Sequence, residues 1–154
     1  MKFLCDQMLG TLATWLRLFG FDTFYANAEM DDDELLKIAE KENRVLITRD
    51  KELIIRAKKK NIKVIESKST DLDEQLVKVL KNVEINEKTI LSRCSLCNTV
   101  LNEIKKNKVK NKVPEKVFKN FDQFWFCSKC DKIYWKGTHY KKIQDKINKM
   151  KKTW

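Results

Sequence analysis

Two closely spaced cysteine pairs constrain this chain more than any other feature. Cys94 and Cys97 form the first pair, Cys127 and Cys130 form the second, and two residues separate the cysteines of each pair. Such a pair suits a tight turn that directs two sulfur atoms to one point, and two turns complete the tetrahedron of thiolates that holds structural zinc. The alternatives are unrelated cysteines or a redox-active pair. The pattern therefore predicts a zinc ribbon, with iron as the next candidate metal, and a closed site that stabilises structure without doing chemistry.

The positive charge of the chain is concentrated in its C-terminal part. Residues 1–90 hold 16 Lys and Arg against 17 Asp and Glu, whereas residues 91–154 hold 17 against 5. This asymmetry predicts two modules, the second facing a polyanion, with nucleic acid as the first candidate and an anionic membrane surface as the second. No segment approaches the roughly 20 apolar residues of a membrane span, and the N-terminus lacks a signal-peptide pattern. We therefore expect a soluble cytoplasmic protein with reduced cysteines.

Hydrophobic periodicity predicts alternating strands and helices in the first part of the chain. Strands are predicted over residues 2–5, 22–26, 44–48 and 62–65, and helices over 8–19, from about 34 onwards, over 50–60 and over 71–83. Gly20 is predicted to end the first helix, and Cys5 to be a small buried hydrophobic residue. This alternation is typical of an α/β fold with a parallel sheet flanked by helices.

The chain is predicted to contain two domains. An α/β domain over residues 1–85 is followed by a zinc ribbon domain over 90–154, with a connector around 84–92. Within the second domain we predict a solvated Lys-rich stretch over 102–113 and a basic helix over 139–152. Because the connector contains neither Gly nor Pro, the two domains are expected to pack in a fixed arrangement.

Separated carboxylates are predicted to meet at one edge of the parallel sheet. Asp6 follows the first strand, Asp50 follows the third, and Asp32 or Asp33 opens the second helix. Open α/β sheets bind ligands at the carboxyl ends of their strands, and Mg²⁺ or Mn²⁺ removes the repulsion between clustered carboxylates. The pattern suits a metal site that activates water for phosphodiester hydrolysis, and it suits helix capping equally well. The alternative is that these acids only cap helices, although Asp6 has no evident helix to cap.

Several stretches, in the same order, resemble one known family. They are FLCDQMLGTLATWLRLFGFDT, DDDELLKIA and RVLITRD, followed by RCSLCN, VPEKV and FWFCSKCDKIYWKGTHY. Together they resemble the PIN-like ribonucleases of the Mut7-C type, over nearly the whole chain. The resemblance implies a PIN-like (flavodoxin-like) sheet followed by a zinc ribbon, and a ribonuclease that depends on Mg²⁺ or Mn²⁺. Its catalytic and metal-binding acids fall on Asp6, Asp32 and Asp50, with Asp33 as a competitor for Asp32 and Glu66 as a candidate fourth acid.

Nucleic-acid binding is expected from basic and aromatic residues in both parts. Where the family often has basic residues this chain has Thr11 and Thr14, which leaves Arg17 and Arg49 as the positive groups near the acidic edge. The full predicted set is Arg17, Arg49, Arg93, Trp135, Lys136, His139, Tyr140, Lys141 and Lys142. Lys and Arg neutralise phosphates and aromatic rings stack on unpaired bases. For Phe118, Phe121, Phe124 and Phe126 we favour packing within the small domain.

Other functions fit parts of the same sequence. A non-catalytic RNA- or ribosome-binding zinc ribbon protein would keep the basic part without binding metal at the acidic edge. Asp6 and Asp50 also suit a receiver-type phosphate-handling domain, for which Lys68 lies near the required position. A toxin-type RNase is a third alternative, although such toxins usually consist of one domain. RNA is the expected partner, no membrane is expected, and protein partners are left open.

Overall fold

The first part of the chain folds into a parallel sheet with helices on both sides. A computed structural model describes residues 1–81 and 83–152. The elements of this part are β1 (Lys2–Cys5), α1 (Gly10–Leu18), β2 (Asp22–Tyr25), α2 (Asp32–Lys41), β3 (Val45–Thr48), α3 (Lys51–Lys59), β4 (Val64–Glu66) and α4 (Leu72–Leu80). The strands run parallel in the order β2-β1-β3-β4. The predicted α/β alternation is confirmed, and β1 and β3 are the central strands.

The two faces of this sheet are covered by different helices because successive residues of a strand point to opposite sides. On one side, Phe3 and Cys5 are buried with Leu16 of α1 and Leu76 of α4. On the other side, Leu4 is buried in a separate cluster with residues of α2 and α3. Burial raises the pKa of the Cys5 thiol, so that it stays neutral, as predicted for a small hydrophobic residue.

Local polar and glycine signals set the ends of the helices. Asp31, Asp50 and Asp71 each accept backbone N–H groups at the starts of α2, α3 and α4. After α1, Gly20 has a φ of 96°, in the left-handed region that favours glycine. A Cβ at this position would collide with the backbone oxygen of Thr89. The predicted end of the first helix at Gly20 is therefore confirmed.

The second part forms a small antiparallel sheet and a long helix. Its elements are β5 (Asn102–Ile104), α5 (Glu115–Asn120), β6 (Phe124–Cys127), β7 (Lys132–Tyr134) and α6 (Thr138–Lys151), with the strand order β5-β6-β7. The predicted basic helix is present as α6, and residues 153 and 154 of the predicted domain lie outside the described residues. Among the described residues, no helix has the length and apolar character needed to cross a bilayer.

Most residues of the Lys-rich stretch over 102–113 are exposed, as predicted, but the stretch also contains a strand and a buried anchor. Its first residues form β5, and Val109 has no exposed surface. Lys106 pairs with Asp122 at 3.1 Å, and its ammonium group lies 5.0 Å from the ring centre of Phe118. Because lysines dominate the composition of the stretch, the sequence gives no sign that the apolar Val109 is buried and anchors it.

One apolar core joins the two parts of the chain. The buried cluster that contains Phe3 also contains Cys94 and Tyr134, together with Ile143 of α6. Helix α6 packs on α4, where Lys146 and Lys149 pair with Asp73 at 2.7 and 3.1 Å. The domain division near residues 85–90 stays a prediction, because the apolar core continues across it.

Arg17 lies at the contact between the two parts, which corrects the prediction that it binds phosphate near the acidic edge. Its side chain is buried, and the residue is 7% exposed. The guanidinium donates to the carbonyl oxygens of Thr23, Ser95 and Leu96 at 2.9, 3.2 and 3.1 Å. Arg17 therefore holds the first cysteine turn against α1 and β2, and its burial keeps it from a phosphate.

Replacing Arg17 by methionine is expected to destabilise the protein by about 3 kcal/mol, because buried carbonyl oxygens lose a charged donor. Methionine retains much of the aliphatic stem of arginine, so little packing is lost. Urea denaturation measures the change. The matched control is Arg49→Met, at an exposed position, which should alter stability by less than about 0.5 kcal/mol. Equal effects of the two substitutions would contradict the structural role of Arg17.

Candidate active site and metal centre

The acids that follow β1 and β3 lie at one end of the parallel sheet. Because these strands are neighbours at the centre of the sheet, this end is where open α/β folds bind ligands. A cavity of about 450 Å³ opens there and is lined by Asp6, Asp32, Asp50 and Arg49. The apolar part of the lining comprises Met8, Ala26, Met30, Leu35 and Leu53. Three of the predicted acids therefore share one cavity.

Asp6 is buried and its carboxylate is held in a fixed orientation. The Oδ1 atom accepts the amide N–H of Met8 at 3.0 Å and so caps a 3-10 turn over Gln7–Leu9. The Oδ2 atom accepts the hydroxyl of Thr48. The prediction that Asp6 has no helix to cap is therefore wrong, because a turn of three residues is too short to leave a periodic signal in the sequence.

Two residues that the sequence analysis did not single out support this geometry. The fully buried Thr48 donates its hydroxyl to Asp6 and accepts the amide N–H of Asp50 at 3.1 Å, so it links the two acids. Tyr25 donates its hydroxyl to the carbonyl of Gln7 at 2.6 Å and braces the turn that follows Asp6. The one sequence signal for Thr48 is a hydroxyl residue at a strand end, two positions before an acid.

Asp50 combines helix capping with a place in the cavity. Its Oδ1 accepts the amide N–H groups of Glu52 and Leu53, at 2.9 and 3.2 Å, at the start of α3. Both bonds go to the same oxygen, so capping leaves the second oxygen of this carboxylate for a ligand. Helix capping and metal binding are therefore compatible for Asp50.

The three consecutive acids at the start of α2 have different contacts. Asp31 caps the helix by accepting the amide N–H of Glu34 at 2.8 Å. Asp32 lines the cavity, whereas Asp33 does not line it and pairs with Arg56 of α3. Arg56 also lies 3.6 Å from Oδ2 of Asp32. The structure thus brings Asp32, and not Asp33, together with the other two acids.

The electrostatic environment of Asp32 disfavours its charged form. Burial raises the pKa of this carboxyl and the negative charge of Asp50 raises it further, while Arg56 lowers it. The two acids therefore repel each other across the cavity. A divalent cation bound between them removes this repulsion, as expected for a metal site.

Replacing Asp32 by asparagine is expected to raise the stability of the metal-free protein at neutral pH. A carboxyl with a raised pKa in the folded state binds its proton more tightly there than in the unfolded state. The stabilisation of the fold by the protonated carboxyl is therefore lost as the pH rises through the folded pKa. Thermal unfolding from about pH 3 to about pH 8 should show a gain for Asp32→Asn that shrinks on acidification towards the unfolded pKa of about 3.9. The control Asp33→Asn loses an ion pair with Arg56 and should show no gain.

The oxygen ligands of the cavity suit Mg²⁺ or Mn²⁺. They are more widely spaced than the cysteine sulfurs. Across residues 1–81 and 83–152, the four cysteines are the only group of three or more metal-binding side chains whose ligand atoms all lie within 4.8 Å of one another. Mg²⁺ commonly keeps several of its waters and binds through one or two carboxylates, so a direct ligand from every acid is not required.

Glu66 and Lys68 line a different cavity. Glu66 is paired with Thr48 in the register of β3 and β4, but with Lys68 it lines a cavity beside α4. The structure therefore does not bring Glu66 to the three acids as a fourth. It also does not bring Lys68 into the cavity of Asp6 and Asp50, as the receiver-type alternative requires.

The four cysteines converge through two matching turns. The residue after each pair, Asn98 or Asp131, has a left-handed backbone with φ of 74° or 55°. Its amide N–H donates to the carbonyl of the first cysteine of the pair, at 2.9 Å in both turns. Asn and Asp tolerate this conformation better than most residues. The sulfur atoms of Cys97 and Cys127, one from each turn, lie 3.5 Å apart, and the cluster could hold a metal such as zinc.

The four thiols do not ionise equally. Although burial acts in the opposite direction, hydrogen bonding to Thr99 lowers the pKa of Cys97 to about 6. Burial also raises the pKa of Cys94, but hydrogen bonding, chiefly to Tyr134, outweighs it, so the pKa of Cys94 is lowered. The hydrogen bond with Cys97, followed by burial, raises the pKa of Cys130 to about 12, and burial raises that of the fourth cysteine. A bound dication supplies the charge that lets all four sulfurs act as thiolates.

Two arginines of the predicted nucleic-acid-binding set have different environments. Arg49 is exposed and lines the acidic cavity. Arg93 donates to the carbonyl of Asn98 at 3.0 Å and lies 3.8 Å from Asp22 of β2. Arg93 therefore braces the contact between the first cysteine turn and the parallel sheet, whereas Arg49 is exposed beside the acids.

The turn before α6 contains the rest of the predicted set. The ammonium group of Lys136 lies 5.4 and 5.0 Å from the ring centres of Trp125 and Tyr140. Burial and two neighbouring lysine charges lower the pKa of His139, so its ring is neutral at physiological pH. The exposed residues of the set here are Lys136, His139, Lys141 and Lys142, and Trp135 and Tyr140 are half-buried.

Comparison with known proteins identifies the family of the chain. A family model described as the Mut7-C RNAse domain matches residues 1–147, which include the parallel sheet and the four-cysteine cluster. No curated protein and no solved structure gives a significant match. Since the family match spans nearly the whole chain, the protein belongs to the Mut7-C RNAse domain family, which indicates a ribonuclease-type function.

Proposed function

We propose that this protein is a metal-dependent ribonuclease that hydrolyses phosphodiester bonds of RNA at the acidic cavity. The observation that carries the proposal is the cavity shared by Asp6, Asp32 and Asp50, next to the ends of the two central strands. Membership of the Mut7-C RNAse domain family supports RNA as the substrate. The carboxylate oxygens support Mg²⁺ or Mn²⁺ as the cofactor.

Each side chain of the cavity has a separate task in this proposal. Asp6, Asp32 and Asp50 hold the cation, which when bound supplies an activated water and positive charge at the scissile phosphate. Thr48 fixes the direction of the Asp6 carboxylate through its hydroxyl group. Arg49 offers a guanidinium to a phosphate oxygen of the substrate. The single histidine, His139, belongs to α6 and does not line the cavity, so no imidazole base takes part.

The second part of the chain supplies structure and substrate affinity. Cys94, Cys97, Cys127 and Cys130 hold Zn²⁺ in a closed structural site. Residues 91–154 carry 17 Lys and Arg against 5 Asp and Glu, a balance that favours binding to the phosphates of RNA. Binding of this kind weakens steeply with salt and depends little on sequence.

Cleavage of single-stranded RNA of mixed sequence tests the proposal. The zinc-loaded protein is incubated with the RNA in the presence of Mn²⁺, of Mg²⁺, or of no added divalent cation. A chelator is left out because it would also remove zinc from the cysteines. Cleavage that requires Mn²⁺ or Mg²⁺ is the expected result. Intact RNA at every metal concentration, with the RNA still bound, would overturn the catalytic proposal.

A non-catalytic RNA-binding protein is the second candidate. It is favoured by one observation, namely that Asp6 and Asp50 both cap backbone N–H groups, a structural task that needs no metal. Titration calorimetry with Mn²⁺ separates the two candidates. Asp32 is the informative position because it caps no helix. Binding of Mn²⁺ to the wild type that is lost in Asp32→Asn would favour the nuclease. Absence of Mn²⁺ binding to the wild type would favour the non-catalytic protein.

A further inference from the structure

The small antiparallel sheet has two apolar faces, and they meet different surroundings. The pairing of β6 with β7 places Trp125 beside Tyr134 on one face, and both residues pack in the core that joins the two parts. Phe126 is paired with Ile133 and lies on the opposite face, because neighbouring residues of a strand alternate. This second face lies outside the shared core: Phe124 on it is buried, whereas Phe126 and Ile133 are only half-buried.

The second face forms the floor of a groove of about 1020 Å³. Phe126, Ile133 and Trp135 contribute apolar and aromatic surface to it. Lys108 and Lys112 contribute positive charge from the Lys-rich stretch, whereas the ammonium group of Lys132 lies 5.0 Å from the ring centre of Tyr134, on the opposite face of the sheet. The one acidic residue in the lining is Asp131.

The Lys-rich side of the groove is a folded wall. Val109, between the two lining lysines, is completely buried, and Lys106 is fixed by Asp122 and by the ring of Phe118. Lys108 and Lys112 are exposed and form no ion pair with the described part of the chain. Their charges are therefore presented to the groove by a fixed backbone without an internal partner.

We propose that this groove binds single-stranded RNA, with bases against Phe126 and Trp135 and phosphates against Lys108 and Lys112. The excess of positive charge selects a polyanion, and aromatic surface at the floor suits bases that are not already stacked inside a duplex. The inference rests on the proposed function in one respect, that RNA is the ligand of this protein. It extends that function by naming the strand-binding site.

The groove differs from the surface that sequence reasoning favoured, around residues 136–142. There the ammonium group of Lys136 lies over the rings of Trp125 and Tyr140, on the face turned to the core. Trp135 is the residue shared by the two surfaces, since it also lines the groove. Substitution of groove residues therefore separates the two sites.

Fluorescence anisotropy with a labelled oligouridylate tests the groove, using zinc-loaded full-length protein without added Mn²⁺ or Mg²⁺. The double variant Lys108→Ala/Lys112→Ala removes two phosphate contacts. Its affinity should fall roughly 25-fold at ~0.1 M salt, and the slope of log K against log salt should fall by about 1.4. The matched control Lys105→Ala/Lys110→Ala removes the same charge from the same stretch, at two exposed positions that do not line the groove. It should retain most of the affinity.

A second variant tests the aromatic floor. Phe126→Leu keeps an apolar side chain but removes the ring, and should weaken binding by about 5- to 150-fold, with the salt dependence unchanged. Zinc content and the unfolding temperature show whether this variant remains folded. The wild type should bind a duplex of the same length more weakly than the single strand.

The outcomes separate the groove from the nuclease. Equal losses in the two double-lysine variants, or preference for the duplex, would overturn the groove and leave only diffuse charge attraction. Displacement of RNA by a polyglutamate peptide at the same charge concentration would also overturn the proposal, because it would indicate an acidic protein as the ligand. If the wild type cleaves RNA while groove variants bind normally, the groove fails and the nuclease stands. If groove variants lose binding while the wild type never cleaves, the nuclease fails and the groove stands.

Discussion

A variant with serine in place of Cys94 and Cys127 is expected to lose its zinc and to unfold far below the wild-type temperature, in both parts of the chain. Both cysteines are completely buried within the core that joins the parallel sheet to the cysteine turns. Structural zinc contributes about 10–16 kcal/mol to the folding of small zinc domains. The entire stability of a typical domain is about 5–15 kcal/mol. The loss is therefore comparable with the total stability of the protein.

Metal analysis and circular dichroism measure this effect. The control is Cys5→Ala, a buried cysteine that belongs to no metal-binding group, which should keep the full zinc content and lose about 1 kcal/mol. Retention of one zinc per chain by the double variant would contradict the assignment. Two separate unfolding transitions, with the parallel sheet unaffected, would contradict the shared core.

The features that sequence predicts well are those with a local cause. The apolar runs of β1 and β3 predict central strands, and their neighbouring position follows from the usual order of doubly wound sheets. That order in turn places Asp6 and Asp50 at one edge, as predicted. The cysteine turns are local as well, because each pair and the residue after it suffice to form the turn. In these cases short segments determine both the structure and the position of the site.

The features that sequence does not predict depend on distant partners. Arg17 looks like a surface arginine near an acidic edge, but its acceptors are carbonyl oxygens of residues 95 and 96, far along the chain. Backbone acceptors have no side-chain signature, so no pattern distinguishes this arginine from an exposed one. The Lys-rich stretch presents the same difficulty, because the burial of Val109 anchors it although most of its other residues are charged or polar. Burial of one residue in a charged segment is decided by the surface against which the segment folds.

The choice between Asp32 and Asp33 shows where sequence information ends. All three acids of the run suit the start of a helix, and a shift of one residue changes which carboxylate faces the sheet edge. The structure assigns the cap to Asp31, which leaves Asp32 in the first turn beside the cavity. Arg56, one helix later, holds Asp33 outside it. The position of α3 relative to α2, which no local pattern encodes, therefore decides which of the two carboxylates lines the cavity.

Replacing Asp50 by asparagine is expected to slow metal-dependent RNA cleavage by at least about 100-fold with little change in stability. Asparagine caps helices as well as aspartate does, so α3 keeps its start, while the cavity loses a negative charge and an oxygen ligand. Loss of a group that only orients a metal ligand costs about 10- to 100-fold, and loss of a ligand costs more. By the same reasoning, Thr48→Val, which removes the hydroxyl bound to Asp6, should slow cleavage by about 10- to 100-fold.

Initial rates measured over a range of Mn²⁺ concentrations distinguish these roles. The control is Asp33→Asn, which makes the same chemical change next to Asp32 but outside the cavity, and should cleave RNA at close to the wild-type rate. Asp50→Asn should also require more Mn²⁺ for half-maximal rate, because it weakens the metal site itself. If Asp33→Asn and Asp50→Asn lose activity equally, the cavity does not define the active site. If neither loses activity, hydrolysis takes place elsewhere on the protein, and the acids at the ends of β1 and β3 serve only to cap the turns that follow them.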